Sequence, residues 1–136
     1  MQTHPTILLA DNDELSLFIL QRHFTHCCCK GLWVHCRTAE QTLTYLSCNS
    51  LPALLIIDPV MPDMHPKEFL DALQAGQVFY KTSACIVSPL FEDDIKTLTI
   101  DYAVFGRYAK PVSQQSILEM IKVSAICTPP ITSGSG

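Results

Sequence analysis

Three short runs, ILLA at 7–10, LLII at 54–57 and ACIV at 84–87, are apolar throughout, and each stops at an oxygen-bearing side chain: Asp11, Asp58 and Ser88. A strand with one wet face alternates apolar and polar residues. A strand covered on both faces does not, and such strands belong to parallel sheets. Two less regular candidates, LWVHC at 32–36 and AVFGRY at 103–108, bring the series to five. Between them lie stretches with helical spacing: Leu15, Phe18, Ile19 and Arg22; Leu43 and Leu46; Phe69, Leu70 and Leu73; Ile95, Leu98 and Thr99; Ile117, Leu118, Ile121 and Ala125. Helix start signals agree. Thr38 with Gln41 forms a capping box, Pro66 suits a first turn, and Glu92, Asp93 and Asp94 bring negative charge to a helix N-terminus.

Strand then helix, five times, predicts an α/β fold: a doubly wound five-stranded parallel sheet with helices on both faces. Composition supports a largely interior chain, since only 16% of the 136 residues are charged, against about 25% in typical soluble domains. One hydrophobic core is expected at this length. Because right-handed crossovers gather the loops after the strands along one edge, function is to be sought at the strand C-termini. The TPPITSGSG stretch at 128–136 has little to bury and reads as a flexible linker or appended tail.

The formal net charge is −4, and Lys and Arg are scattered singly, which argues against direct nucleic-acid binding. The N-terminal apolar run is too short for a signal peptide or a membrane span, so a cytoplasmic setting is expected. Seven cysteines, three of them adjacent at Cys27, Cys28 and Cys29, do not form an orderly disulfide framework, and reduced thiols are the simpler expectation. His23, His26, His35 and Cys36 add ligand types suited to zinc, but their spacing is irregular and these cysteines read better as small apolar residues. Trp33 reads as core or partial cover.

The strand ends carry a chemically coherent set: Asp11, Asn12 and Asp13 after the first, Asp58 after the third, Ser88 after the fourth and Lys110 after the fifth. Clustered carboxyl and carboxamide oxygens are hard ligands suited to magnesium. A nearby ammonium and hydroxyl can neutralise and hydrogen-bond a phosphoryl group. In such a set Asp58 is the candidate nucleophile, and the product is an aspartyl phosphate.

Over about residues 6–125 the chain resembles the receiver domains of two-component response regulators. The resemblance rests on ILLADND at the first strand end, LLIIDPVMPDM around the acceptor, ACIVS, and YAKP. Ser88 follows Asp58 by 30 positions and Lys110 follows Ser88 by 22, which is similar to the family pattern. The resemblance implies a receiver domain over 1–127 with the flavodoxin-like fold, a signalling module and not an enzyme. It implies Asp58 as phosphoacceptor, assisted by Ser88 and Lys110, and a magnesium ion held by Asp11, Asn12, Asp58 and Val60. It also implies a cis Lys110–Pro111 bond and a histidine kinase or histidine phosphotransfer protein as donor. An effector domain or protein would read the output, and a homodimer is open.

Three positions depart from the family pattern. Asn12 stands where a second acid is usual, with Asp13 as a possible compensation. Pro89 has no N–H where the family offers one to the phosphoryl oxygen. Arg107 occupies the switch-aromatic position, flanked by Phe105 and Tyr108, and alternation turns the adjacent Tyr108 to the other face. These departures keep two alternatives open: a pseudo-receiver acting as a phosphorylation-independent interaction module, and a cysteine-based redox sensor.

Overall fold

In the computed structural model, residues 4–90 and 92–126 are described, and the expected tail at 128–136 lies outside them. Five strands and six helices follow in the order β1 (Thr6–Ala10), α1 (Glu14–His26), β2 (Leu32–Cys36), α2 (Ala39–Cys48), β3 (Leu54–Ile57), α3 (Pro66–Ala75), α4 (Val78–Lys81), β4 (Ser83–Ser88), α5 (Glu92–Thr99), β5 (Gly106–Ala109) and α6 (Gln114–Ser124). The sheet is parallel throughout, in the order β2-β1-β3-β4-β5. This bears out the doubly wound expectation, with one addition: the single turn α4, between α3 and β4, carries no sequence signal of its own. The fifth candidate strand also begins later than expected, at Gly106 instead of residue 103.

The uniformly apolar strands divide by parity. Leu8, Ala10, Leu55, Ile57, Ala84 and Ile86 face the core shared with α2, α3, α4 and α5. Ile7, Leu9, Leu54, Ile56, Cys85 and Val87 face the core shared with α1 and α6. Both faces are therefore covered, which is why no polar alternation is visible in these runs. Phe24 meets Trp33 edge-on in the second core, with ring centroids 5.1 Å apart.

The face that α1 buries differs from the expected one. Leu20 and Phe24 are in the core, whereas Leu15 and Phe18 are each 60% exposed. Both sets have helical spacing, and the sheet selects the one carrying Phe24. In α6 the expected positions divide likewise: Ile117 is buried, Leu118 is 46% exposed, and Ala125 is the left-handed C-cap.

Helix starts follow the sequence signals. Thr38 accepts from the Gln41 N–H, but the Gln41 side chain answers the N–H of Arg37, one residue before the cap, so the box closes one position early. Pro66 opens α3 behind a His65 cap.

Among the cysteines, Cys36 and Cys85 are buried, and burial pushes both thiols up, as it does Cys27. They are poor thiolates, in keeping with an apolar packing role. Cys29 departs from the expectation of reduced thiols, because it is disulfide-bonded; sequence spacing does not report which sulfurs meet in space.

Candidate functional site

The order of the sheet reverses between β1 and β3, where doubly wound folds leave a crevice at the strand C-termini. Asp11 and Asp58 flank it. Each candidate residue is seated by a ladder bond at its strand end: the Asp11 N–H donates to Cys36 O at 3.0 Å, Asp58 N–H to Ala10 O at 2.8 Å, and Lys110 N–H to Ser88 O at 2.9 Å. The ladder carries the precision of the sheet into the first residue of each loop. The Lys110–Pro111 peptide bond is cis, as the resemblance implied.

Lys110 is the centre of the cluster. Its Nζ donates to Asp58 Oδ2 at 2.9 Å and lies 2.6 Å from Asp11 Oδ2. The second contact is an ion pair without hydrogen-bond alignment, since Asp11 Oδ2 is buried and accepts no hydrogen bond among the described residues. Asp58 Oδ1 accepts from the Val60 N–H at 3.0 Å.

Burial raises the Asp58 carboxyl above its usual range. The Lys110 hydrogen bond and charge and the Val60 N–H oppose the rise, and the Asp11 charge adds to it. Burial works to lower Lys110, but its close contacts with Asp11 and Asp58 and their charges outweigh it and leave the ammonium raised. Two carboxylates thus share one cation in a poorly hydrated crevice, leaving one negative charge unmatched.

The donor set fits magnesium. A hard divalent cation suits carboxylate oxygens, and two carboxylates sharing one ammonium leave the negative charge that such an ion uses. Asp11, Asp58 and the backbone of Val60 are the residues that would hold it.

Asn12 and Asp13 do not join this cluster through the bonds they make. The Asn12 side-chain amide donates to Arg37 O at 2.9 Å. Asp13 caps α1 by accepting from the Leu15 N–H at 3.0 Å through Oδ1, and it also lines the cleft beside Lys110.

Ser88 is fully buried, and its Oγ accepts from the Leu90 N–H at 3.2 Å. Its O–H remains able to donate. Beside Lys110, on the α1 side, lies a cleft lined by Asp13, Ser16, Leu20, Val87 and Pro111.

Arg107 lies apart from the cluster. Its Nε donates to Thr99 Oγ1 at 2.6 Å and its Nη2 to Thr99 O at 3.0 Å, so the guanidinium clamps the C-terminal end of α5. Tyr108 points to the opposite face, where its hydroxyl donates to Glu119 Oε1 at 2.6 Å, as alternation required. Replacing Arg107 with Ala is expected to cost about 1 kcal/mol, the range for a charged donor closing a helix C-terminus. The loss should show as faster amide exchange over residues 99–104 with the β1 and β3 amides unchanged.

Sequence reasoning missed the second layer. The His35 ring Nε2 pairs with Asp11 O at 2.7 Å, Arg37 Nη1 donates to Glu14 Oε1 at 2.6 Å, and Asp63 accepts two backbone bonds from α2. None of these follows a periodicity or a spacing rule.

No protein-family model matches the chain, and no curated protein matches it. Solved structures do. A signal receiver domain of a LuxO repressor protein from Vibrio parahaemolyticus is 18% identical, with 90% of each chain covered and a TM-score of 0.74. The fold is that of a receiver domain. A two-component response regulator from Legionella pneumophila is also 18% identical, covering 90% of this chain and 99% of its own, with a TM-score of 0.76. A phosphorylated cyanobacterial phytochrome response regulator is 16% identical, covering 89% and 91%, with a TM-score of 0.71. Receiver-fold chains thus match nearly the whole length. Among the described residues, no helix is long and apolar enough to cross a membrane.

Proposed function

We propose that this receiver-fold domain accepts a phosphoryl group on Asp58 from a histidine kinase or a histidine phosphotransfer protein, and signals through changed protein contacts. One observation carries the reading: a buried carboxylate with a raised pKa, bonded to an invading ammonium, shares the sheet crevice with a second acid. Asp58 Oδ2 is the attacking oxygen. Lys110 bonds this oxygen and the Val60 N–H bonds the other, and both oppose the rise that burial causes in the carboxyl.

A magnesium ion bound by Asp11, Asp58 and the Val60 backbone would offset charge accumulating on the transferred group. Lys110 offsets more of it, and the Ser88 hydroxyl donates to a phosphoryl oxygen. Phosphorylation of one solved receiver with this fold supports the reading. The domain itself spans 1–127 in this proposal, within the cytoplasm and outside any membrane.

The test is labelling by a small phosphodonor in millimolar magnesium. Wild type is expected to gain one phosphoryl group, located on Asp58 by peptide mass spectrometry, while Asp58→Asn gains none. Equal labelling of the two proteins, or none in wild type, sinks the proposal.

A second reading is favoured by Pro89 and by the Arg107 clamp on Thr99. One phosphate donor is lacking, and the usual switch position is held by bonds that do not involve the acceptor. In that reading the α5–β5 surface is a constant docking face and the domain is a pseudo-receiver. Saturable shifts of the Ser88 and Lys110 amides on adding a phosphate mimic with magnesium would count against it.

A further inference from the structure

The loop after β3 turns back on itself, with Met61 and Met64 paired in an antiparallel bridge and Pro62 and Asp63 at the tip. Asp63 is exposed, yet both of its carboxylate oxygens are used. Oδ1 accepts from the Ala39 N–H at 2.9 Å and Oδ2 from the Glu40 N–H at 3.0 Å, the first two amides of α2. Thr38 already caps this helix through the Gln41 N–H. A second cap, supplied by a residue 24 positions later in the chain, does more than satisfy the helix end.

Its other consequence lies at the acceptor. Met61 is 6% exposed and sunk in the core beside α2 and α3, so the loop has one buried anchor and one polar anchor. Between Asp58 and Met61 lies Val60, whose N–H bonds Asp58 Oδ1. On the opposite side of the crevice, the same β2–α2 connection grips the Asp11 loop: Asn12 donates to Arg37 O, and His35 pairs with Asp11 O. Residues 35–40 therefore hold the two acid loops to one another.

We propose that Asp63 is a positioning residue of the acceptor site: by bonding the start of α2 it holds the 59–64 loop so that the Val60 backbone stays against the Asp58 carboxylate. This deepens the phosphoacceptor reading and, for its consequence on metal binding, rests on it. An Ala at 63 releases the tip and lets the Val60 backbone move. An Asn keeps one acceptor and turns a nitrogen toward an N–H, so it restores only part of the hold.

The experiment compares wild type, Asp63→Ala and Asp63→Asn by amide NMR without metal, then by magnesium titration. In Asp63→Ala the order parameters of Val60 and Met61 are expected to fall from ~0.85 toward ~0.6. Those of Leu8 and Ile56 should not move. Magnesium affinity should weaken by about ten-fold, the loss typical of removing a residue that orients a ligand, with Asp63→Asn between the two. A change confined to the α2 amides, with Val60 and Met61 unaltered, overturns the proposal and leaves Asp63 a helix cap only. A fall shared equally by Leu8 and Ile56 overturns it as well, as general destabilisation. The metal-free measurement uses no phosphodonor. If wild type fails to label on Asp58 while Val60 responds as expected, the phosphoacceptor reading falls and the positioning role stands.

Discussion

Replacement of Lys110 by Met is expected to lower the unfolding free energy by about 3 kcal/mol at neutral pH, the cost of leaving buried charge without its partner. The Met side chain fills similar space, so the loss isolates charge from packing. Asp11 and Asp58 are 1% and 6% exposed, and Lys110 is the cation within 4 Å of both. Without it, two carboxylates repel one another in a poorly hydrated crevice.

The dependence on pH has a definite sign. Burial has raised the folded pKa of Asp58, so its protonated form favours the fold: stability is greatest below the ordinary carboxylate value and declines as pH rises through the raised one. Removing the ammonium strengthens that trend, and the deficit of Lys110→Met should shrink on acidification through the carboxylate range. In wild type, the raised Lys110 contributes stability that is fully present below its ordinary 10.5 and is lost only as pH climbs through its higher folded value. Urea unfolding of both proteins between acid and neutral pH measures this. A deficit under ~1 kcal/mol at neutral pH, within the range of exposed ion pairs, would show that the crevice is better hydrated than its burial indicates.

Phe24→Ala is the second large effect, at about 4 kcal/mol. Phe24 is 1% exposed, in the core between α1, β2 and α6, against the edge of Trp33. Truncation leaves a cavity that neighbouring helices close only in part. Trp33 is the single tryptophan, so its emission should report the same change without a label. Phe18→Ala, on the same helix, is expected to cost under ~0.5 kcal/mol, as a surface substitution does. The contrast between two phenylalanines six positions apart tests the rotation of α1 directly. Equal losses would mean that Phe18 is buried as deeply as Phe24 and that this rotation of α1 is wrong.

That rotation marks a limit of what the chain's pattern can say. In α1, Leu15, Phe18 and Ile19 form one apolar stripe, and Leu17, Leu20 and Phe24 form another. Periodicity is satisfied by either. The buried stripe was decided by the sheet surface of Ile7, Leu9 and Ile56, which Leu20 and Phe24 complete. α4 escaped for a related reason: four residues are too few for a periodic signal, and the turn exists because Val78 and Phe79 have a core to enter.

The sequence by itself determined the strands, their parallel sheet and the gathering of Asp11, Asp58, Ser88 and Lys110 at one edge. Those features follow from local burial pattern and from the handedness of the crossovers, both of which are written in short stretches of chain. Only the tertiary structure decided how the charges are shared: Lys110 between two acids, Asn12 drawn to Arg37, Asp13 used by α1, Arg107 fastened to Thr99 and Asp63 reaching to α2. A polar side chain takes whichever partner the fold brings within about 3 Å, and that choice depends on loops meeting across the sheet, not on spacing along the chain.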